Sequence, residues 1–158
     1  KAANIHENID STLVILQNRL NGRAGKPEIQ VIKAYGDLPM VECYSGLLNQ
    51  VFMNLLVNAI DAIEERQAKA SPDYAGCITI ETEQMAMDKF RVAIKDNGLG
   101  MSSSTQAKIF DPFYTTKPVG LGTGMGLSIS YQIVTNDHQG QLTCHSVLGE
   151  GTEFTIEL

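Results

Sequence analysis

"SGLLNQVFMNLLVNAIDAIEERQAKA", Ser45 to Ala70, carries the strongest periodicity in the chain. Leu47, Leu48, Val51, Phe52, Leu55, Ala59 and Ala62 recur at offsets of three and four, which predicts one long central helix with an apolar stripe. Within it Asn54 and Asn58 lie four apart and therefore on one face. Amides flanked by Val51, Leu55 and Ala62 are costly if buried without partners, and helix interiors disfavour Asn. The pair either faces solvent or shares a ligand. An amide carbonyl is a hard oxygen suited to Mg²⁺, which keeps several waters and meets nucleotide phosphates with few protein ligands.

The flanking segments supply the other layer. "NIDSTLVILQNRLNG" sets Ile9, Leu13, Leu16 and Leu20 on a second helical stripe that stops at Asn21-Gly22. "EIQVIKAYG" alternates as a strand through Ile29, Val31 and, less cleanly, Ile32. After the loop "SPDYAG", the runs "CITIETEQ" and "KFRVAIKDNG" joined by "MAMD" predict an antiparallel hairpin. From Gly98 to Thr123 the chain is dense in Gly, Ser, Thr and Pro, with a short helix expected around Gln106 to Phe110. Such a length exceeds a mere connection and points to function. A glycine-entered helix to about Thr135 follows, then strands "GQLTCHSV" and "TEFTIEL" across the turn "LGEG". This order fits an α/β sandwich, helices on one face of a mixed sheet.

At 158 residues and 43% apolar, the chain suffices for one compact domain, residues 1–158, and is too short for two ordinary ones. A net charge of −6 without any Lys/Arg run argues against nucleic acid, so a polyanion would be met locally by a metal and a few cations. No uninterrupted apolar run approaches the roughly 18 residues of a membrane span, and "KAANIHENID" lacks a signal-peptide core. A soluble chain without direct membrane contact is expected. Cys43, Cys77 and Cys144 are odd in number and far apart, which suits buried thiols in a reducing cytoplasm better than disulfides or zinc.

Two short motifs carry chemistry. In "GLGTGMGLSISYQIV", Gly120 to Val134, glycines fall at every second position before an apolar helix. A phosphate-binding P-loop would need Lys-Ser/Thr after the last glycine, but Gly126 precedes Leu127 and Ser128. A dinucleotide fingerprint fails on its offsets as well. What remains is bare backbone whose N–H groups can approach an anion at a helix mouth, or else a flexible surface loop. "DNGLGM", Asp96 to Met101, ends an apolar strand. Its carboxylate can accept a ligand amino group beside two glycines, or simply close an Asx turn.

"NLLVNAIDA", "DNGLGM", "FDPFYTTK", "GLGTGMGLSIS" and "GEGTEF" together resemble, in order and spacing, the N, G1, F, G2 and final glycine-threonine boxes of sensor histidine kinases. These boxes belong to the ATP-binding domain of the wider gyrase/Hsp90/histidine kinase/MutL superfamily, and the likeness runs from about Ile5 to the end. It implies a Bergerat fold, a two-layer α/β sandwich with a mixed, mostly antiparallel sheet and an ATP lid. It implies ATP and Mg²⁺ as cofactors, with Asn58 on the metal and Asn54 supporting it. Asp96 would take the adenine amino group, Gly98, Gly100 and Met101 would adjoin the base, and Thr152 would complete that pocket. Lys117 would reach a terminal phosphate. Phe110 and Phe113 would anchor the lid, and Thr116, Gly120, Leu121, Gly122, Thr123, Gly124, Met125, Gly126 and Leu127 would wrap the triphosphate.

Three departures qualify the likeness. Asp61 stands at a nucleotide-facing position where many sensor kinases carry a basic or aromatic residue, so phosphate neutralisation falls more on Mg²⁺ and Lys117. ATP-hydrolysing relatives place a Glu where this chain has Asn54, which takes no proton at neutral pH. The phosphoacceptor is expected on a separate dimerisation segment, because His6 in "HEN" lacks the Pro that commonly follows, while His138 and His145 read as turn and strand residues. The implied function is γ-phosphoryl transfer from Mg-ATP to that segment's histidine, and through it to a response regulator, by a cytoplasmic and monomeric catalytic domain. The alternatives are a nucleotide-binding module without histidine transfer, such as an anti-sigma-type kinase or degenerate ATP sensor, and an ATPase of the gyrase or chaperone type.

Overall fold

The computed structural model describes residues 1–22, 25–112 and 126–158. Its first helices, α1 (Ile5–Ile15) and α2 (Gln17–Leu20), bury Ile5, Ile9, Leu13, Leu16 and Leu20 on a single stripe. Asn4 caps α1 by accepting the Glu7 N–H at 3.2 Å, which satisfies one of the unpaired donors of the first turn.

Five strands form the main sheet in the order β2-β4-β5-β7-β6. They are β2 (Gln30–Tyr35), β4 (Cys77–Ala86), β5 (Lys89–Asp96), β6 (Gln141–Val147) and β7 (Gly151–Glu157). Only β2 and β4 run parallel; the other pairs are antiparallel. The expected mixed, mostly antiparallel sheet is therefore the one observed. Two short strands, β1 (Ala2–Ala3) and β3 (Val41–Glu42), pair apart from it and were too brief to show in the sequence pattern.

The central helix is α3 (Ser45–Gln67), packed on β5 and β7 with α1 and α5 (Gly126–Gln132) beside it. It buries Leu48, Val51, Phe52, Leu55, Leu56, Ala59, Ile60 and Ile63. The stripe is thus wider than the spacing suggested. Leu56, Ile60 and Ile63 join the core because the helix is covered on its flanks as well as beneath, whereas Leu47 and Ala62 stay half-buried. By length and composition α3 is apolar enough to cross a membrane, but here its apolar residues are spent on the sheet and neighbouring helices.

The hairpin forms as read, with Ile78 opposite Asp96 and Ala86 opposite Lys89, so the turn narrows to Met87 and Asp88. The short helix α4 occupies Ser103–Gln106 rather than the expected Gln106 to Phe110, of which residues 107–110 are turn. The reason is local: Ser102 accepts the Thr105 N–H at 3.3 Å and starts the helix earlier. Helix α5 (Gly126–Gln132) widens into a π-helical turn, Ile133–Asp137, two residues past the expected end.

Candidate functional site

Asp96 sits at the last position of β5, opposite Ile78 on one side and Thr152 on the other. It is 4% exposed, an unusual burial for a carboxylate. Its Oδ1 accepts the Gly98 N–H at 2.8 Å, so the Asx turn is real and the carboxylate is also buried. Burial pushes its pKa up from 3.8 to about 6, against the opposing pull of backbone hydrogen bonds from Gly98 and Thr152. Near neutrality the group is charged but poorly solvated, which is the condition under which a ligand donor is worth most. The Cys144 thiol nearby is raised to about 12, first by burial and then by the Asp96 charge.

The turn after Asp96 is held rigidly by residues that the sequence reading did not single out. Arg66 donates to the carbonyls of Asn97 (2.9 Å) and Gly98 (3.2 Å) while its guanidinium lies 4.6 Å from the centre of the Tyr74 ring. The Tyr74 hydroxyl donates to the Asn97 carbonyl at 2.8 Å, and the Asn97 side chain bonds Cys77 N and Ala75 O, each at 2.8 Å. Asn97 could have been foreseen as a turn former, but Arg66 and Tyr74 carry no local signal.

The fold itself requires glycine at positions 98 and 100. A Cβ on Gly98 would stand 2.6 Å from the Ala62 carbonyl carbon, so the turn rests directly on the α3 backbone. Gly100 has φ +73° and would press a Cβ into the Val147 carbonyl. The Met101 N–H donates to Ser146 Oγ at 2.8 Å, and Ser146 Oγ also lies 2.7 Å from Thr152 Oγ1. Gln106 completes this hub by donating to the Ser146 carbonyl at 2.9 Å. Ser146 and Gln106 therefore tie Met101 to Thr152, and no spacing announced them.

On α3, the two amides behave differently. Asn54 donates through Nδ2 to the Gly126 carbonyl and to Ser130 Oγ, each at 3.0 Å, and so fixes the start of α5. Asn58 is half-buried, and its amide has no hydrogen-bond partner among the described residues. Asp61, one turn on, pairs with Arg19 at 2.9 Å. Leu127 packs half-buried against the core, and Phe110 meets Tyr131 and Phe154 at ring distances of 5.0 and 6.4 Å. Phe113, Thr116, Lys117, Gly120, Leu121, Gly122, Thr123, Gly124 and Met125 lie outside the described residues.

His6 and His138 are engaged in the fold, and His145 lies exposed on β6. His6 Nε2 lies 2.7 Å from Thr82 Oγ1 and its ring stacks on Tyr35 at 4.2 Å. His138 accepts the Tyr44 N–H at 3.0 Å. Cys43, Cys77 and Cys144 are free thiols. No cluster of three or more His, Cys, Asp or Glu that could hold a metal occurs among the described residues. The donor set nevertheless fits Mg²⁺ in one way: Asn58 offers an uncommitted hard oxygen, to be completed by phosphates and water.

A buried acceptor thus ends β5, and an uncommitted amide lies on α3. The model of the histidine kinase-, DNA gyrase B- and HSP90-like ATPases matches residues 44–158, and the chain belongs to this family. Its relatives include the signal transduction histidine-protein kinase AtoS of Escherichia coli strain K12, 37% identical over 150 residues. That match covers 95% of this chain but 22% of AtoS, so the chain spans about a fifth of that relative. The nucleotide-free catalytic domain of the histidine kinase ThkA superposes with a TM-score of 0.79 at 29% identity, covering 100% of this chain and 93% of that one. A ThkA complex with the response regulator TrrA matches at TM-score 0.74 and 26% identity, covering 100% and 41%.

Proposed function

We propose that residues 1–158 form one catalytic domain that binds Mg-ATP and transfers its γ-phosphoryl group to a histidine on a dimerisation segment of the parent kinase, from which a response regulator takes it. The observation that carries this reading is Asp96, a buried carboxylate with its Oδ1 fixed by Gly98 and its pKa near 6. Such a group accepts the 6-amino group of adenine and repels the 6-carbonyl of guanine. Asn58 would hold Mg²⁺, which supplies charge neutralisation at the phosphates. Gly98, Gly100, Met101 and Thr152 would line the base, and Lys117, with the glycines from 120 to 126, would take the triphosphate. Asn54 has its NH₂ group on α5, so its part is to position that helix.

In the transfer, the bond from the β,γ-bridging oxygen to the γ-phosphorus breaks and one from an imidazole nitrogen forms. ADP leaves, and the proton on the imidazole's other ring nitrogen passes to solvent, which leaves a neutral phosphorylated ring. The chain's own work is orientation and charge stabilisation, which is the larger part of phosphoryl-transfer catalysis. Asn54 offers no base to activate water, so the chain alone turns ATP over slowly. Three free thiols and an ATP substrate suit a cytoplasmic position. Incubation with γ-labelled ATP and histidine-bearing dimerisation segments tests the reading: acid-labile label appears on the segment. Label on His6 of the chain, or on no segment despite ATP binding, would refute it.

A further inference from the structure

We propose that Arg19, reaching from α2 to the central helix, supplies the phosphate-binding cation that α3 lacks at Asp61. The inference rests on the Mg-ATP reading above and adds a nucleotide-binding residue to it.

Geometry carries the assignment. At about 100° per residue, Ala62 lies roughly 40° to one side of Asn58 on the helix and Asp61 roughly 60° to the other. The Asp96 turn rests on Ala62, so the base approaches from that side. A polyphosphate passing Asn58 then runs beside Asp61, where a carboxylate alone would repel it. The structure answers the repulsion from 42 residues away: Arg19 Nη2 meets Asp61 Oδ1 at 2.9 Å and Glu64 Oε1 at 2.8 Å.

Both hydrogens of Nη2 are spent on those carboxylates, while among the described residues the Nε and Nη1 hydrogens have no acceptor. A guanidinium carries five N–H donors in a rigid fork. Three therefore have no acceptor among the described residues, on a side chain that is 26% exposed and held in place from behind. Three spare, pre-oriented donors are more than a structural ion pair requires, and they match the paired oxygens of a phosphate. Lys26 adds to the support by bonding Glu64 at 3.1 Å, so that among the described residues two cations meet the carboxylates of Asp61 and Glu64. Leu20 beside Arg19 is buried, so the backbone that carries the guanidinium is anchored in the core.

The test compares ATP with adenosine by calorimetric titration. Arg19→Ala alone is ambiguous, since it bares two carboxylates, so it is read in the Asp61→Asn/Glu64→Gln background. There, adding R19A should weaken ATP binding about ten- to a hundredfold, the range of a charge-assisted contact, and leave adenosine binding unchanged. Equal ATP affinity with and without R19A in that background would overturn the inference and reduce Arg19 to a counter-ion. If the native chain bound neither ligand, the Mg-ATP reading itself would fall, and this one with it. A second measurement needs no destabilised variant. The Arg19 Nε–H resonance of the native chain, assigned by its loss in R19K, should shift on adding Mg-ATP and not on adding adenosine; no shift with Mg-ATP at saturation would equally overturn it.

Discussion

Replacing Asp96 by Asn should make the empty protein more stable and the nucleotide complex weaker. The carboxylate is 4% exposed, and its pKa stands at about 6 where the ordinary value is 3.8. Roughly two units correspond to about 3 kcal/mol of strain on the charged form. The folded pKa is raised, so the native chain enjoys the full benefit below pH 3.8 and loses it as the pH climbs to about 6. An Asn keeps the acceptor oxygen for the Gly98 N–H but has no charge to desolvate. The stability difference between variant and native should therefore move in the variant's favour by about 2 kcal/mol from pH 4 to pH 7, and stay flat above. Urea titrations of both proteins across that range read it directly.

Binding should move the other way. Exchanging a charged acceptor for an amide costs about 1.5–3 kcal/mol, or ten- to a hundredfold in ATP affinity, and narrows the preference over GTP because the amide can turn its NH₂ to the guanine oxygen. Native ATP affinity should also fall about tenfold per pH unit below about 6, a dependence absent from the variant. A stability difference that does not change between pH 4 and pH 7 would refute the raised pKa of Asp96, and D96N binding ATP as tightly as the native chain would refute the placement of adenine there.

Three shorter expectations follow from the same contacts. Gly98→Ala drives a methyl to within 2.6 Å of the α3 backbone and should cost about 1–3 kcal/mol in a denaturant melt, with no compensating gain in helix propensity since the residue lies in a turn. Asn54→Ala removes both bonds to α5, so amide exchange across Gly126–Gln132 should quicken while β4 and β5 keep their protection; unchanged exchange would show that α5 is held by packing alone. Ser146→Ala leaves the Met101 N–H and the Thr152 hydroxyl without their shared partner and should cost about 1–3 kcal/mol of stability, measured by thermal melting against the native chain.

What the sequence determined by itself was whatever is encoded over short spans of chain. The 3.6-residue period of Ser45 to Ala70 specified α3, the alternation in 77–96 specified a hairpin, and turn chemistry marked Asp96 at its end. The order of the five boxes added the family, because each box is a local pattern. Tertiary structure decided everything that depends on which distant residues meet. The parallel pairing of β2 with β4 joins segments nearly fifty residues apart, and no hydrophobic period records its direction. Gly98 is required by the backbone of Ala62, which the turn reaches only once the helix has docked on the sheet. Ser146 and Gln106 are ordinary polar residues until the sheet edge brings them beside Met101 and Thr152. Asp61 reads as a missing cation in one dimension, and only the packing of α1 against α3, with α2 following it, carries the guanidinium of Arg19 to it. Local propensity and periodicity act through neighbours in sequence, whereas a hydrogen bond or an ion pair acts through space, over a few ångströms that the folded core alone defines.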